Sequence, residues 1–339
     1  MTLPYSEFDL FTLKNFQLES GAILPEVHLA YSIRGTPSPK PPILTCTSFG
    51  RAYDDLAYLY GKSLDPAQHW IIHTELLGNG RSSSPSNMSP PFAKANFPAV
   101  TIRDNVALQH ALLASLNVQE IQAVVGASMG GQQAIQWAVS YPSSVQKAIV
   151  IVGSCRTTWH GQLFLNSLSR CIHSDPAFNQ GNYSKPPLEG IARLADTWAP
   201  WVFSPEFYAS EAYRNYEDTK ADSLEEFLDK WRFRYVQRDA NNMLSQFQTW
   251  STHNVADTHG TEGCLDKALA QVEAEVLFLP SRTDAYFAVS DNRKEADLIS
   301  KAKVEVIDSI SGHAAGLGRD PKDCQQINQA ITDFLVSTD

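Results

Sequence analysis

The sequence predicts an α/β fold: a mostly parallel, twisted sheet with helices on both faces and a helical cap inserted into it. Three observations predict it. From Pro41 to Ser154, short apolar segments alternate with amphipathic helical ones, a pattern that implies crossover connections and parallel strands. Over residues 156–260 the alternation stops, and the chain reads as helical with five of its seven tryptophans. At Ala274 the strand rhythm resumes. The 339 residues therefore divide into a core of residues 1–155 and 261–339 and a cap of residues 156–260.

The elements follow in order. NFQLESGAILPEVHLAYSIR, residues 15–34, reads as two β segments with a turn at Gly21. PPILTCTSFGR (Pro41 to Arg51) is a short apolar strand that ends in small residues, and HWIIHTELL (His69 to Leu77) is another. TIRDNVALQHALLASLNV predicts a helix, because Ile102, Val106, His110, Leu113 and Leu116 keep helical spacing and Thr101 with Asp104 forms an N-cap pair. IQAVVG follows as a buried strand, then a sharp turn at Ser128, a helix to Tyr141 and the strand KAIVIVGS. AEVLFLP (Ala274 to Pro280) and VEVID (Val304 to Asp308) complete the strands, and a helix runs from about Pro321.

Composition excludes several function classes. The formal net charge is −10 and no Lys/Arg run occurs, which argues against a nucleic-acid partner. No apolar run approaches the ~20 residues that a membrane span needs. MTLPYSEFDLFTLKNF lacks the basic and apolar regions of a leader, and FLVSTD matches no sorting signal, so the expected location is the cytoplasm. Cys46, Cys155, Cys171, Cys264 and Cys324 are scattered without a CxxC, against a disulfide framework or a zinc site. His69 and His73 flank a predicted strand and read as ordinary positions, so no metal is expected. GNGRSS (Gly78 to Ser83) imitates part of a dinucleotide loop but lacks the third glycine.

The chemistry centres on Gly126-Ala127-Ser128-Met129-Gly130, a G-x-S-x-G pentapeptide between a buried strand and an amphipathic helix. A serine at such an apex needs strained backbone angles, with glycines two residues either side so that strand and helix can approach. The turn presents Oγ at the sheet edge and aims the Met129 N–H, at the helix N-terminus, into the same space. A serine hydroxyl needs a base to become a nucleophile. Of the nine histidines, His313, in VEVIDSISGHAAGLG, lies in a loop after the last strand. The base needs an acid to fix its tautomer. Asp284 follows the preceding strand and gives the chain order Ser, Asp, His; Asp308, at the end of the last strand, is the rival. The second oxyanion donor is expected from the loop TCTSFGR, with the Phe49 N–H first and Ser48 next. The aromatic residues of the insert suit plain core as well as pocket lining. Trp159, Trp198 and Trp201, with Ser48, are the expected lining residues.

LDPAQHWIIHTELLGNGRSSSPSN, FPAVTIRDNVALQHALL, GASMGGQQAIQWAVSYPSSV, RDANNML and TDAYF…SGH together resemble the homoserine O-acetyltransferase-like group of α/β-hydrolases, from about Phe16 to His313. The resemblance implies the α/β-hydrolase fold and a Ser-His-Asp acyl transfer by Ser128, His313 and Asp284. The departures bear on substrate. Homoserine acetyltransferases usually carry aspartate directly after the catalytic histidine, where it meets the substrate amine; here Ala314 stands there. They carry an A-R-M arginine for the homoserine carboxylate. An ungapped reading of GIARLADTWAPW puts that place near Ala195 or Asp196, and a short gap would lay Ala192-Arg193-Leu194 on it. LGNGRSSSPSN also differs from the LGGCxGSTGPSS type.

The expected function is therefore serine-dependent hydrolysis of a carboxylic ester or thioester of a small, largely neutral or apolar substrate. One alternative is an O-acyltransferase that uses acyl-CoA as co-substrate, as in natural-product biosynthesis. Another is a non-catalytic binding protein on the same fold. No cofactor is expected, the partner is a small molecule, and the oligomeric state stays open, a homodimer included.

Overall fold

The structure, a computed structural model, describes residues 8–50, 56–216 and 220–337. Arg51, which closes the TCTSFGR segment, and the outermost residues of both chain ends lie outside them. Eight strands form one sheet: β1 (Asp9–Gln17), β2 (Ile23–Arg34), β3 (Ile43–Cys46), β4 (Ile71–Thr74), β5 (Ile121–Ala127), β6 (Val145–Ile151), β7 (Glu275–Leu279) and β8 (Ala302–Val304). Their spatial order is β1-β2-β4-β3-β5-β6-β7-β8. β1 and β2 pair antiparallel across the turn at Gly21, whose φ of +84° suits a glycine. β2 meets β4 antiparallel, and every pairing from β4 to β8 is parallel.

Parallel strands with both faces covered read as continuous apolar runs, and β3 and β4 are buried at every position. The strand period of two sends alternate residues to different clusters. Val124, Ala148, Val150 and Phe278 pack with the helices α1 (Ile102–Ser115) and α2 (Met129–Ser140). Val125, Ile149, Ile151 and Leu279 pack against the opposite face, which is covered by Leu56, Leu59 and α10 (Pro321–Val336). Thr101 and Asp104 form the expected capping box on α1, each side chain meeting the other's backbone N–H.

Between β6 and β7 lie α3 (Trp159–His173), α4 (Leu188–Val202), α5 (Pro205–Ala209), α6 (Leu224–Val236), α7 (Ala240–Ser251) and the short α8 (Leu265–Ala270); α9 (Val289–Ala296) follows β7. Phe164, Trp198, Phe247 and Trp250 from this segment belong to the same continuous apolar cluster as Leu44, Val124 and Phe278 of the sheet. The last strand departs from the expected span. β8 covers Ala302–Val304 rather than Val304–Asp308. It is an edge strand with one neighbour, and beyond it the chain follows β7 through single bonds, Glu305 N–H to the Phe278 carbonyl at 2.9 Å and Ile307 N–H to the Pro280 carbonyl at 2.8 Å. Among the described residues, no helix is long and apolar enough to cross a membrane.

Candidate active site

Ser128 joins β5 to α2 with φ 55° and ψ −121°, a conformation that L-residues adopt only where their surroundings impose it. The surroundings are the neighbouring strand and two close approaches. The Ser128 N–H donates to the Ile151 carbonyl at 2.9 Å. A Cβ on Gly126 would stand 2.1 Å from the Gly130 carbonyl carbon, and one on Gly130 would stand 2.3 Å from the Cys46 carbonyl oxygen. Only glycine at both positions lets α2 begin this close to β3 and β5.

The structure brings Ser128, His313 and Asp284 into one hydrogen-bonded chain. His313 Nε2 lies 2.9 Å from Ser128 Oγ, and His313 Nδ1 lies 2.7 Å from Asp284 Oδ2. Because the carboxylate can only accept, Nδ1 carries the hydrogen and Nε2 is left to accept from the serine hydroxyl. The other carboxylate oxygen, Oδ1, accepts from the N–H groups of Tyr286 at 2.7 Å and Phe287 at 3.3 Å. All three side chains are buried. The Thr283 hydroxyl ties the acid loop to the histidine loop: it donates to the Ser309 carbonyl at 2.9 Å and accepts from the Gly312 N–H at 3.0 Å. The rival acid, Asp308, is an exposed side chain paired with Arg282 at 3.0 Å, away from His313.

Two buried N–H groups stand beside this chain. Met129 is the first residue of α2, so its N–H has no partner within the helix. The Phe49 N–H has no acceptor among the described residues, although Phe49 is only 9% exposed. Ser128, His313, Ser48 and Phe49 line a cavity of about 340 Å³.

The aromatic residues of the insert divide. Trp198 and Trp250 are buried in the core and also face the cavity. Two expected lining residues do not reach it. Trp159 opens α3 and is 81% exposed, because the helix begins at the surface. Trp201 packs between His160 and Phe164, with ring centroids 4.9 and 4.7 Å away. Sequence reasoning missed Tyr286, whose ring lies 4.5 Å from His313 and whose hydroxyl accepts from Trp198 Nε1–H at 2.5 Å. It also missed the α6 face Trp231, Arg234, Tyr235 and, just past its end, Arg238. Their i, i+3, i+4, i+7 spacing was the available signal. Arg234, Arg238 and the cavity's third arginine, Arg319, are each engaged with other groups of the protein.

The remaining sequence landmarks are structural. His73 lies inside β4, bonded to Thr45 Oγ1 at 2.9 Å, and burial with the nearby Arg34 and Arg81 pushes it down to about 3. His110 stacks on Tyr141 at 4.1 Å. In GNGRSS, Asn79 Oδ1 accepts from the N–H groups of Arg81 and Ser82, and Gly78 and Gly80 take positive φ. Ala314 is buried beside His313. Asp196 pairs with Arg232 at 2.5 Å, and Arg193 reaches the Cys171 carbonyl on α3 and Ser174 just past its end; neither lines the cavity.

Residues 41–317 match the family model described as alpha/beta hydrolase fold. The chain is 32% identical to an ethyl acetate hydrolase of Pseudomonas veronii, over 98% of this chain and 97% of that one. It is 28% identical to a homoserine O-acetyltransferase of Chlorobium chlorochromatii, over 94% and 92% of the two chains. Its structure is similar to that of the acetyl esterase MekB, with a TM-score of 0.94, 31% identity and coverage of 98% and 97%.

Proposed function

Because the chain belongs to the α/β-hydrolase family, we propose that it hydrolyses small carboxylic esters, acetyl esters first, through an acyl-enzyme on Ser128. The observation that carries this reading is the buried chain Ser128–His313–Asp284 at the wall of the aromatic cavity. Ser128 Oγ attacks the ester carbonyl and His313 Nε2 takes its proton. Asp284 holds the imidazole in the required tautomer and stabilises the imidazolium that forms. The oxygen that gains charge is met by the N–H groups of Phe49 and Met129. The tetrahedral intermediate then expels the alcohol, which takes the proton from His313. Water, activated by the same histidine, releases the acid and restores Ser128. No step calls for a cofactor or a metal. Residues 156–260 act as a cap that lines the cavity and sheds water from it. The five unpaired cysteines suit the cytoplasm, and the substrate is a small molecule.

A second reading, transfer of the acyl group from acyl-CoA to an alcohol, draws on the likeness to a homoserine O-acetyltransferase. Homoserine itself fits this site poorly. A zwitterion must find charged or well-bonded partners when it loses water. Ala314 supplies none for the amine, and Arg193 and Asp196 face outward. The test runs both reactions side by side: release of acetate from short-chain esters, and release of free CoA from acetyl-CoA with and without L-homoserine. Ester hydrolysis without homoserine-dependent CoA release is expected. Saturable, homoserine-dependent CoA release would overturn the esterase reading.

A further inference from the structure

The Phe49 N–H sits in a four-residue loop, Thr47–Gly50, whose two ends are held by glutamines from opposite sides. Gln133, on α2, donates from Nε2 to the Thr47 carbonyl at 2.9 Å and to the Met129 carbonyl at 3.2 Å. Gln246, on α7, accepts the Gly50 N–H at 2.6 Å on Oε1 and donates from Nε2 to the Gly78 carbonyl at 2.9 Å and the Asn242 carbonyl at 3.3 Å. Both amides are buried, Gln133 fully and Gln246 to within 2%. Beside Gln246, the ring of Phe247 stacks on Phe49 at 5.0 Å with planes 3° apart.

A buried amide is costly unless its polar atoms find partners, and for plain packing between α7 and the sheet an apolar residue would serve. What the glutamine adds is direction. Peptide units are planar, so turning the Thr47 carbonyl toward α2 and the Gly50 N–H toward α7 restricts how the one unit between them, which carries the Phe49 N–H, can rotate. Gly50 takes φ +58°, which lets the loop turn at that point. With the Gly50 N–H committed to Gln246, the neighbouring Phe49 N–H has no acceptor among the described residues.

We propose that Gln246 is a positioning residue for catalysis: from the inserted segment it orients the Thr47–Gly50 loop so that the Phe49 N–H meets the oxygen that becomes charged. The inference rests on the acyl-transfer reading of Ser128, and it makes the cap part of the oxyanion site rather than only its cover.

The test compares the parent with Gln246→Met, which keeps the length of the side chain but cannot accept a hydrogen bond of this kind. Turnover of p-nitrophenyl acetate, thermal midpoint and inhibition by a trifluoromethyl ketone, which forms a charged adduct on the serine, are measured together. The expected result is a fall in kcat of roughly 10- to 100-fold with KM within about twofold, and the ketone weakened by a factor similar to that in kcat. The thermal midpoint should fall by only a few degrees, because the Gly50 N–H and the Gly78 carbonyl lose their partner, and the protein stays folded at the assay temperature. Gln246→Glu is the second variant, informative even if the first does not fold: burial against the Gly78 carbonyl holds its carboxyl protonated on that side, so it donates there as the amide did while still accepting the Gly50 N–H, and its kcat should stay within about fivefold of the parent. Parent-level kcat in folded Gln246→Met, or lost turnover with undiminished ketone affinity, overturns the positioning role. So does a folded Gln246→Glu protein whose kcat falls 100-fold. A parent protein inert toward every ester tested strikes the acyl-transfer reading itself and takes the inference with it.

Discussion

Asp284 and Asp308 are the two carboxylates that follow the last strands, and their surroundings separate their roles. Asp284 is buried, bonded to His313 and to two backbone N–H groups, while Asp308 is a solvent-facing partner of Arg282. Asp284→Asn should cost on the order of 10⁴ in kcat through the wrong imidazole tautomer, and Asp308→Asn should stay within about twofold. Steady-state hydrolysis of one activated ester checks both; an inactive Asp308→Asn beside an active Asp284→Asn would reverse the assignment. Combining Asp284→Asn with Ser128→Ala should cost little beyond the serine change, because residues acting as one unit do not add. Multiplying losses would mean that the two act independently. That Ser128, His313 and Asp284 would meet was legible in the sequence, because chain order and strand context constrain each of them. Trp159 and Trp201 were not, since a tryptophan on a helix packs outward, inward or sideways according to where the helix starts, and nothing local records that.

α9 carries Glu295 into a buried position beneath the loop after β6. Its carboxyl accepts the Cys155 N–H at 3.1 Å and the Asn292 Nδ2–H at 3.0 Å. Burial outweighs those bonds and pushes Glu295 up from 4.5 to about 7. A carboxyl whose folded pKa is raised binds its proton more tightly in the folded state. Its contribution to stability is full below about pH 4.5 and is lost as pH rises through about 7, a few kcal/mol in all. Asp323, on α10 and bonded to Ser309 at 2.8 Å, is pushed up to about 6 by burial and acts with the same sign over a lower window. The urea midpoint of the parent should therefore fall between pH 5 and pH 8. In Glu295→Gln most of that fall should vanish, leaving a residue below about pH 6. An unchanged pH slope in the variant would show that Glu295 does not titrate as described. Among the elements, α1 and α10 were legible because caps and periodicity agree. β8 was misplaced because an edge strand with one neighbour ends where the sheet stops holding it, which alternation alone does not reveal.

Across the whole molecule, the parallel sheet was legible from the alternation of apolar and amphipathic segments, and the run of helices between β6 and β7 from its interruption. The cavity was legible only in part. Its walls come from α4, α6, α7 and the loop after β7, and their convergence is a matter of tertiary packing. That packing also argues that sheet and insertion unfold together, because one apolar cluster runs from Leu44 and Val124 through Trp198, Phe247 and Trp250. Thermal unfolding followed by tryptophan fluorescence, dominated by the insertion, and by far-ultraviolet circular dichroism should give coincident single transitions. Separate midpoints would make residues 156–260 an independent folding unit.

Ser128 is proposed to carry the acyl group. Peptide mass mapping after rapid mixing with p-nitrophenyl acetate and an acid quench tests it most directly. An acetyl group is expected on the peptide containing Ser128, formed within one turnover, decaying as acetate is released, and absent from Ser128→Ala together with all turnover above background. Acetylation at another residue, or hydrolysis by Ser128→Ala at the parent rate, would contradict it.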